Sequence, residues 1–316
     1  MKIVALAGGV GGAKLADGLA QLLLPEDLSI VVNTGDDFEH LGLYICPDLD
    51  TVCYTLAGLA NPETGWGLLG ETFQVLENIT KLGGPGWFHI GDKDLATHLE
   101  RTRRLCEGQS LDEVTRLFCQ VWGVRHSILP MSNQPVRTMV ETVDSGEMAF
   151  QEYFVHQNCE PKVKGFRFAG IESARPAPGI MKAIENADAV VFCPSNPWVS
   201  IDPILALSGL RSALAGKIVL AVSPIIGGQT VKGPAAKMFS ELGIQPSALA
   251  VMEHYSDLLS GFVLDILDKE LKEHFTLPVT ITQTVMKTKE DRSRLAQDVL
   301  NLIQTLKSSV QNINPL

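Results

Sequence analysis

The sequence predicts an α/β protein: a Rossmann-like, doubly wound, mostly parallel sheet with an inserted helical and β-strand segment. Three observations predict it. Short apolar runs alternate with helical periodicity at both ends of the chain, the rhythm of strands joined by crossover helices. The first run breaks into "GGVGGAK" and restarts as a helix. Later strand candidates each end in a polar loop, and in an open α/β sheet such loops gather at the carboxyl ends of the strands. We read residues 1–316 as a single α/β domain, with about 66–168 as an insertion or extension within it.

Ile3–Ala7 is a short buried strand. Leu15, Leu19, Leu22 and Leu23 recur at helical spacing until Pro25 ends the run, and Ser29–Asn33 is a second strand. From about Asp50 to Trp122 the pattern is mostly helical, with helices expected over Leu68–Leu82, Asp94–Cys106 and Leu111–Val121. From Arg125 to Arg167 it turns to strands: "SILP", "VRTMVETV", "AFQEYFV" and "KVKGFRF", with "DSG" as a hairpin turn. The α/β alternation then returns as "MKAIENA", "DAVVFCP", "KIVLAVSP" and "PAAKMFSEL", and a long helix spans about Glu290–Leu306.

Composition narrows the function. The 316 residues carry a net charge of −10, with 45% hydrophobic and 20% charged residues. Such an acidic globular chain is a poor tracker of nucleic acid, so an anionic ligand must be met locally by main-chain N–H groups, a few cations or a metal. Cys46, Cys53, Cys106, Cys119, Cys159 and Cys193 form no C-x-x-C pair and read as free thiols of a reducing compartment. No apolar run approaches the roughly 20 residues of a membrane span. The expectation is a soluble, cytoplasmic protein.

The glycine turn is the strongest local signal. A strand that breaks into Gly8, Gly9, Gly11 and Gly12 before a helix aims free N–H groups at one point, which favours negative charge. The turn fails the G-x-G-x-x-G fingerprint, because Lys14 takes the third glycine position. It also fails the Walker A pattern, because Ala13 and Leu15 replace the final glycine and the hydroxyl. We expect an anion site of another type, with Lys14 beside it.

Acidic residues crowd the same rim. Asn33, Thr34, Gly35, Asp36 and Asp37 follow the second strand, and "PDLDT" opens a helix with Asp48 and Asp50 in or beside its first turn. One aspartate suffices as a cap, which leaves the other for a metal ion or for general-base work. Asp94 and His98 lie four residues apart on one helix face, suited to a local hydrogen bond or a metal pair. Arg101, Arg103 and Arg104 beside them could meet an anion or form a solvated face. Further on, Ser132 and Asn133, Ser195, Asn196 and Ser200, and Ser223, Gly227, Gly228 and Lys232 place hydrogen-bonding groups in three loops at strand ends. No G-x-S-x-G elbow is present, which disfavours a hydrolase nucleophile.

Taken in order, "LAGGVGGAKLADGL", "VVNTGDD", "PDLDTVCYTLAG", "GDKDLATH", "ILPMSNQPV", "PSNPWVSIDPIL" and "AVSPIIGGQTVKGPAAK" make the chain resemble the 2-phospho-L-lactate transferase family of coenzyme F-420 biosynthesis, whose bacterial members are phosphoenolpyruvate transferases. The resemblance runs over most of the chain. It implies a magnesium-dependent transfer of a phospho-acid from a guanosine-diphosphate-activated donor to the ribityl hydroxyl of the deazaflavin FO, releasing GMP, in a homodimer. It assigns the donor phosphates and guanosine to Gly8, Gly9, Gly11, Gly12, Lys14, Ser132, Asn133, Ser195 and Asn196. It assigns FO contact to Asp50 and His89, catalysis to Asp50 and Asp48, and magnesium to Asp36, Asp37 and Asp48. At His89 the family pattern carries Lys or Arg, a fixed charge that a neutral imidazole lacks. Two other readings use the same pocket: a different nucleotidyl or nucleotide-sugar transferase, and a nucleotide-binding regulatory protein of the same fold without FO transfer.

Overall fold

The computed structural model describes residues 1–313. Seven strands form the central sheet: β1 (Ile3–Ala7), β2 (Leu28–Val32), β3 (Ser127–Pro130), β4 (Ala189–Phe192), β5 (Ile218–Val222), β6 (Gly261–Asp265) and β7 (Val279–Thr282). Their spatial order is 3-2-1-4-5-6-7 and every pairing is parallel. The order reverses between β1 and β4, which is where an open α/β sheet forms its ligand crevice. The doubly wound, mostly parallel sheet expected from the sequence is the observed architecture.

Strand alternation sends side chains to two cores. Ile3, Ala5, Ala7, Ile30, Val32 and Val191 face one layer; Val4, Leu6, Val31, Val190 and Phe192 face the other. On the first face lies α1 (Val10–Leu22), backed by the long helix Lys289–Ile313. Leu15, Ala16 and Leu19 share that core with Leu295, Ala296, Val299 and Ile303. At Gly18 the two helices come so close that a Cβ would sit 2.2 Å from the carbonyl oxygen of Arg292. Asp17 pairs with Arg292 at 3.0 Å beside this contact.

Within 66–168, Ser127–Pro130 joins the central sheet as edge strand β3. Around it lie three helices, α3 (Gln74–Lys81), α4 (Asp92–Cys106) and α5 (Leu111–Val121), and an antiparallel three-stranded sheet of Arg137–Thr142, Glu147–Ala149 and Val163–Ala169. The helix expected over Leu68–Leu82 begins only at Gln74, because Gly67 and Gly70 both adopt positive φ (68° each). The "AFQEYFV" run is a strand only up to Ala149; Phe150 and Tyr153, three residues apart, are both buried as the chain turns helical over Glu152–His156. Asp92 caps α3 by accepting from the N–H groups of Gln74 and Val75 at 3.1 Å each. Glu71 caps α4 in return, accepting from Lys93 and Asp94 at 2.8 Å each. Among the described residues no helix is long and apolar enough to cross a membrane.

Candidate active site

The parallel register brings Gly8, Asn33 and Cys193 out side by side at the carboxyl edge of β1, β2 and β4: Asn33 N donates to Ala7 O, and Cys193 N to Leu6 O, each at 3.0 Å. The glycine turn then closes against the loop after β4. Gly8 N donates to Ser195 Oγ at 3.0 Å. A Cβ on Gly8 would lie 2.5 Å from the side chain of Ser200, and one on Gly11 2.2 Å from the carbonyl oxygen of Pro194. Both positions therefore require the absence of a side chain, and the four glycines serve close approach as much as turning.

The acidic corner adjoins this turn. Asp48 lies in the first turn of α2 (Pro47–Leu56), and its carboxylate faces Gly9, whose Cβ would sit 2.7 Å from Asp48 Oδ1. Asn33 fixes it: Asn33 Nδ2 donates to Asp48 Oδ2 at 2.9 Å and to Val199 O at 3.0 Å, while Asn33 Oδ1 accepts from Gly35 N at 2.8 Å. Burial pushes the pKa of Asp48 up to about 6, against hydrogen bonds from Asn33 and the Gly9 main chain. Asp37 is pushed up to about 8 by burial, which the Arg137 guanidinium partly opposes. Asp36 is raised well above the usual carboxylate range by burial and then by the charge of Asp48.

These carboxyls are the ones the resemblance assigns to magnesium, but among the described residues their oxygens do not all gather within 4.8 Å of one another as a metal cluster would. Asp36 Oδ1 and both oxygens of Asp37 are buried with no hydrogen-bond partner in the protein. Isolated buried charges are strongly penalised unless something neutralises them. Arg137, and after it Arg101, supplies positive charge to Asp37, while Asp36 feels the negative charge of Asp48 and then of Asp37.

Asp50, two residues along α2, is placed differently. It was expected to present itself to an acceptor hydroxyl, but both its oxygens are taken by Arg101 from α4: Arg101 Nη1 donates to Asp50 Oδ2 at 3.1 Å, and Arg101 Nη2 pairs with Asp50 Oδ1. His98 Nδ1 stands 3.7 Å from Asp50, His98 Nε2 stands 3.3 Å from Asp94, and Tyr54 donates to Asp94 at 2.6 Å. Asp50, Asp94 and His98 have the spacing of a metal triad. Arg101 already supplies positive charge among them, and His98 Nε2 is buried without a hydrogen-bond partner. Arg101 is thus neither an anion receptor nor part of a solvated face. Arg103 and Arg104 are held by Glu100 on the outer side of α4.

Several expected nucleotide contacts are engaged within the protein. Asn133 clamps the start of α5, with Oδ1 accepting from Asp112 N at 3.0 Å and Nδ2 donating to Asp112 Oδ1 at 2.7 Å. Ser132 bonds Gln134 at 3.0 Å. Asn196 caps the turn Pro197–Ile201 by accepting from Trp198 N at 3.1 Å. Lys14 directs its ammonium to the carbonyl of Met286 at 2.8 Å. His89 is exposed on the loop before α4, edge-on to Phe73. Ser195, Ser200, Asp48 and the glycines are the residues that the structure brings together. Arg137 was missed as a partner of Asp37: it sits in a strand far along the chain, and nothing local marks it.

The profile of the family described as 2-phospho-L-lactate transferase CofD matches residues 3–305. The chain belongs to this family. Among its relatives, a phosphoenolpyruvate transferase of Streptomyces griseus is 46% identical over 275 residues, covering 85% of this chain and 86% of the relative. A 2-phospho-L-lactate transferase of Methanothermobacter thermautotrophicus is 40% identical over 304 residues, covering 95% and 98%. A solved structure from Bacillus halodurans, a member of the UPF0052 family, superposes with a TM-score of 0.63 at 15% identity, over 95% of this chain and 98% of its own. That likeness speaks for the fold. As a member of the 2-phospho-L-lactate transferase family the chain is a transferase.

Proposed function

We propose that this transferase moves a phospho-acid from a guanosine-diphosphate-activated donor to the terminal ribityl hydroxyl of FO, in coenzyme F-420 biosynthesis. The observation that carries the reading is the contact of Asp48 with the glycine turn, which gives one rim both an anion cradle and a proton-accepting carboxylate. The main-chain amides of the turn bind and orient the donor diphosphate. The ribityl oxygen forms a bond to the phosphorus next to the acid. The bond from that phosphorus to the bridging oxygen breaks, and GMP leaves with the electron pair. Asp48, with a pKa of about 6, takes the hydroxyl proton. Asp50, held by Arg101, orients the first turn of α2 and thereby Asp48. Asp36 and Asp37 would hold magnesium, which when bound would offset negative charge on the phosphates and leave Asp48 to accept the proton.

Incubation with FO, magnesium and guanylylated phospholactate, phosphoenolpyruvate or phosphoglycerate is expected to yield an FO phosphodiester and GMP in equal amounts by mass spectrometry with at least one acid. Nucleotide binding with no FO product from any donor would support the regulatory reading instead.

Magnesium also has a signature in stability. Asp48 and Asp37 are raised in the fold to about 6 and about 8, above the ordinary carboxyl value of 3.8. The folded state thus holds protons that the unfolded chain releases, so their stabilising contribution is full below about pH 4 and is lost as pH rises through 6 to 8. A cation that neutralises the ionised corner should recover it. Saturating magnesium is expected to raise the melting temperature by roughly 5 °C at pH 8 and by little at pH 5, measured by calorimetry. An equal shift at both pH values would contradict the assignment.

A further inference from the structure

Lys232 belongs to the loop after β5, on the rim that carries the glycine turn. Its side chain is exposed, and its ammonium donates to the main-chain carbonyl of Thr64. A Cβ on the next residue, Gly65, would sit 3.2 Å from Lys232 Nζ and 2.8 Å from Cγ1 of Val10, the first residue of α1. Lys232, residues 64–65 and the start of α1 therefore meet at one point. Lys14 lies one turn further along α1, and its pKa is lowered by burial and then by the charges of Arg292 and Lys232. Three cations thus converge here in a chain of net charge −10. Arg292 has a carboxylate partner in Asp17, but Lys14 and Lys232 are each held by a neutral carbonyl. A carbonyl satisfies an ammonium's hydrogen bond without cancelling its charge, so an incoming phosphate oxygen is the stronger partner.

We propose that Lys232 is a ligand of the donor's diphosphate, and that its loop is a strap across the glycine turn. On donor binding, Lys232 exchanges the Thr64 carbonyl for phosphate oxygens. This rests on the donor reading given above and adds to it a residue from outside the glycine turn. Lys232 is followed by Gly233, which has a positive φ of 82°, and Gly227 and Gly228 earlier in the loop have φ of 57° and 76°. Three glycines in left-handed backbone within seven residues give the strap its points of rotation. Gly227 N donates to both carboxylate oxygens of Asp268 at 3.1 Å, which anchors the near end of the loop.

The test uses the full chain with GDP as the probe. By titration calorimetry, Lys232→Gln should weaken GDP binding roughly tenfold or more, and Lys232→Arg should restore most of it. In the wild-type protein, GDP should also slow trypsin cleavage of the Lys232–Gly233 bond. Because Lys232 is exposed, the melting temperature of Lys232→Gln should stay within about 1 °C of the wild-type value, which separates a lost ligand from a damaged fold. GDP affinity unchanged within twofold in Lys232→Gln, or unaltered cleavage with GDP, would overturn the strap and leave the transferase reading intact. A wild-type protein that binds no GDP would overturn both.

Discussion

Asp48→Asn is expected to lower turnover by about two to four orders of magnitude while making the metal-free protein more stable. The loss follows from the role proposed for Asp48: an amide of the same shape accepts no proton from the attacking hydroxyl, and general-base contributions of that size are usual. The gain follows from its burial. Asp48 is 9% exposed and its pKa is pushed up to about 6, so ionising it at neutral pH works against the fold. A neutral amide removes that cost and its side-chain oxygen still accepts from Asn33, so the gain is reduced only by the bond lost from the Gly9 main chain. Steady-state assay of GMP release and thermal unfolding, done on one preparation, check the pair. Lost activity with lowered stability would mean that the residue is a structural support. Unchanged activity would remove its proton-accepting role.

Arg101→Met is the second large effect, and it runs the other way. Removing the guanidinium strands Asp50 in a site where it is 5% exposed and where the nearby carboxylate of Asp94 repels it. Breaking a buried ion pair from one side typically costs about 3–5 kcal/mol, because the surviving charge has neither water nor partner. Chemical denaturation should show a loss of that size. Arg101→Met combined with Asp50→Asn should recover much of it, since neither remaining group then bears a charge. A single substitution that costs under about 1 kcal/mol would mean that solvent reaches Asp50. Turnover of the double variant separates the two aspartates. If Asp50 only orients α2, the double variant retains measurable activity where Asp48→Asn does not.

Features carried by a few consecutive residues were legible in the sequence. The glycine turn, the strand before it and the apolar face of α1 are local, since their signals are backbone freedom and side-chain period. The rim position of Asp36, Asp37 and Asp48 followed from the rule that ligands gather at strand ends. What escaped depended on partners distant in the chain. Asp50 and Arg101 are 51 residues apart, and no spacing rule joins them. Asn133 and Asn196 looked like free recognition groups because an amide at a strand end serves equally well as a cap. Only the placement of Asp112 and of the Trp198 N–H decides between the two uses. Lys14 looked like a phosphate contact from position alone, and the carbonyl of Met286 that holds it lies 272 residues away.

The meeting of α1 with the helix Lys289–Ile313 bears on how the protein is made. The glycine turn and α1 precede their supporting surface, Arg292 against Gly18 and Leu295 to Ile303 against Leu15 and Leu19, by a long stretch of chain: Arg292 lies 274 residues after Gly18. A nascent chain halted before residue 289 carries an α1 with one apolar side uncovered, a binding target for chaperones. Ligand-competent molecules should therefore emerge only once synthesis has passed that point.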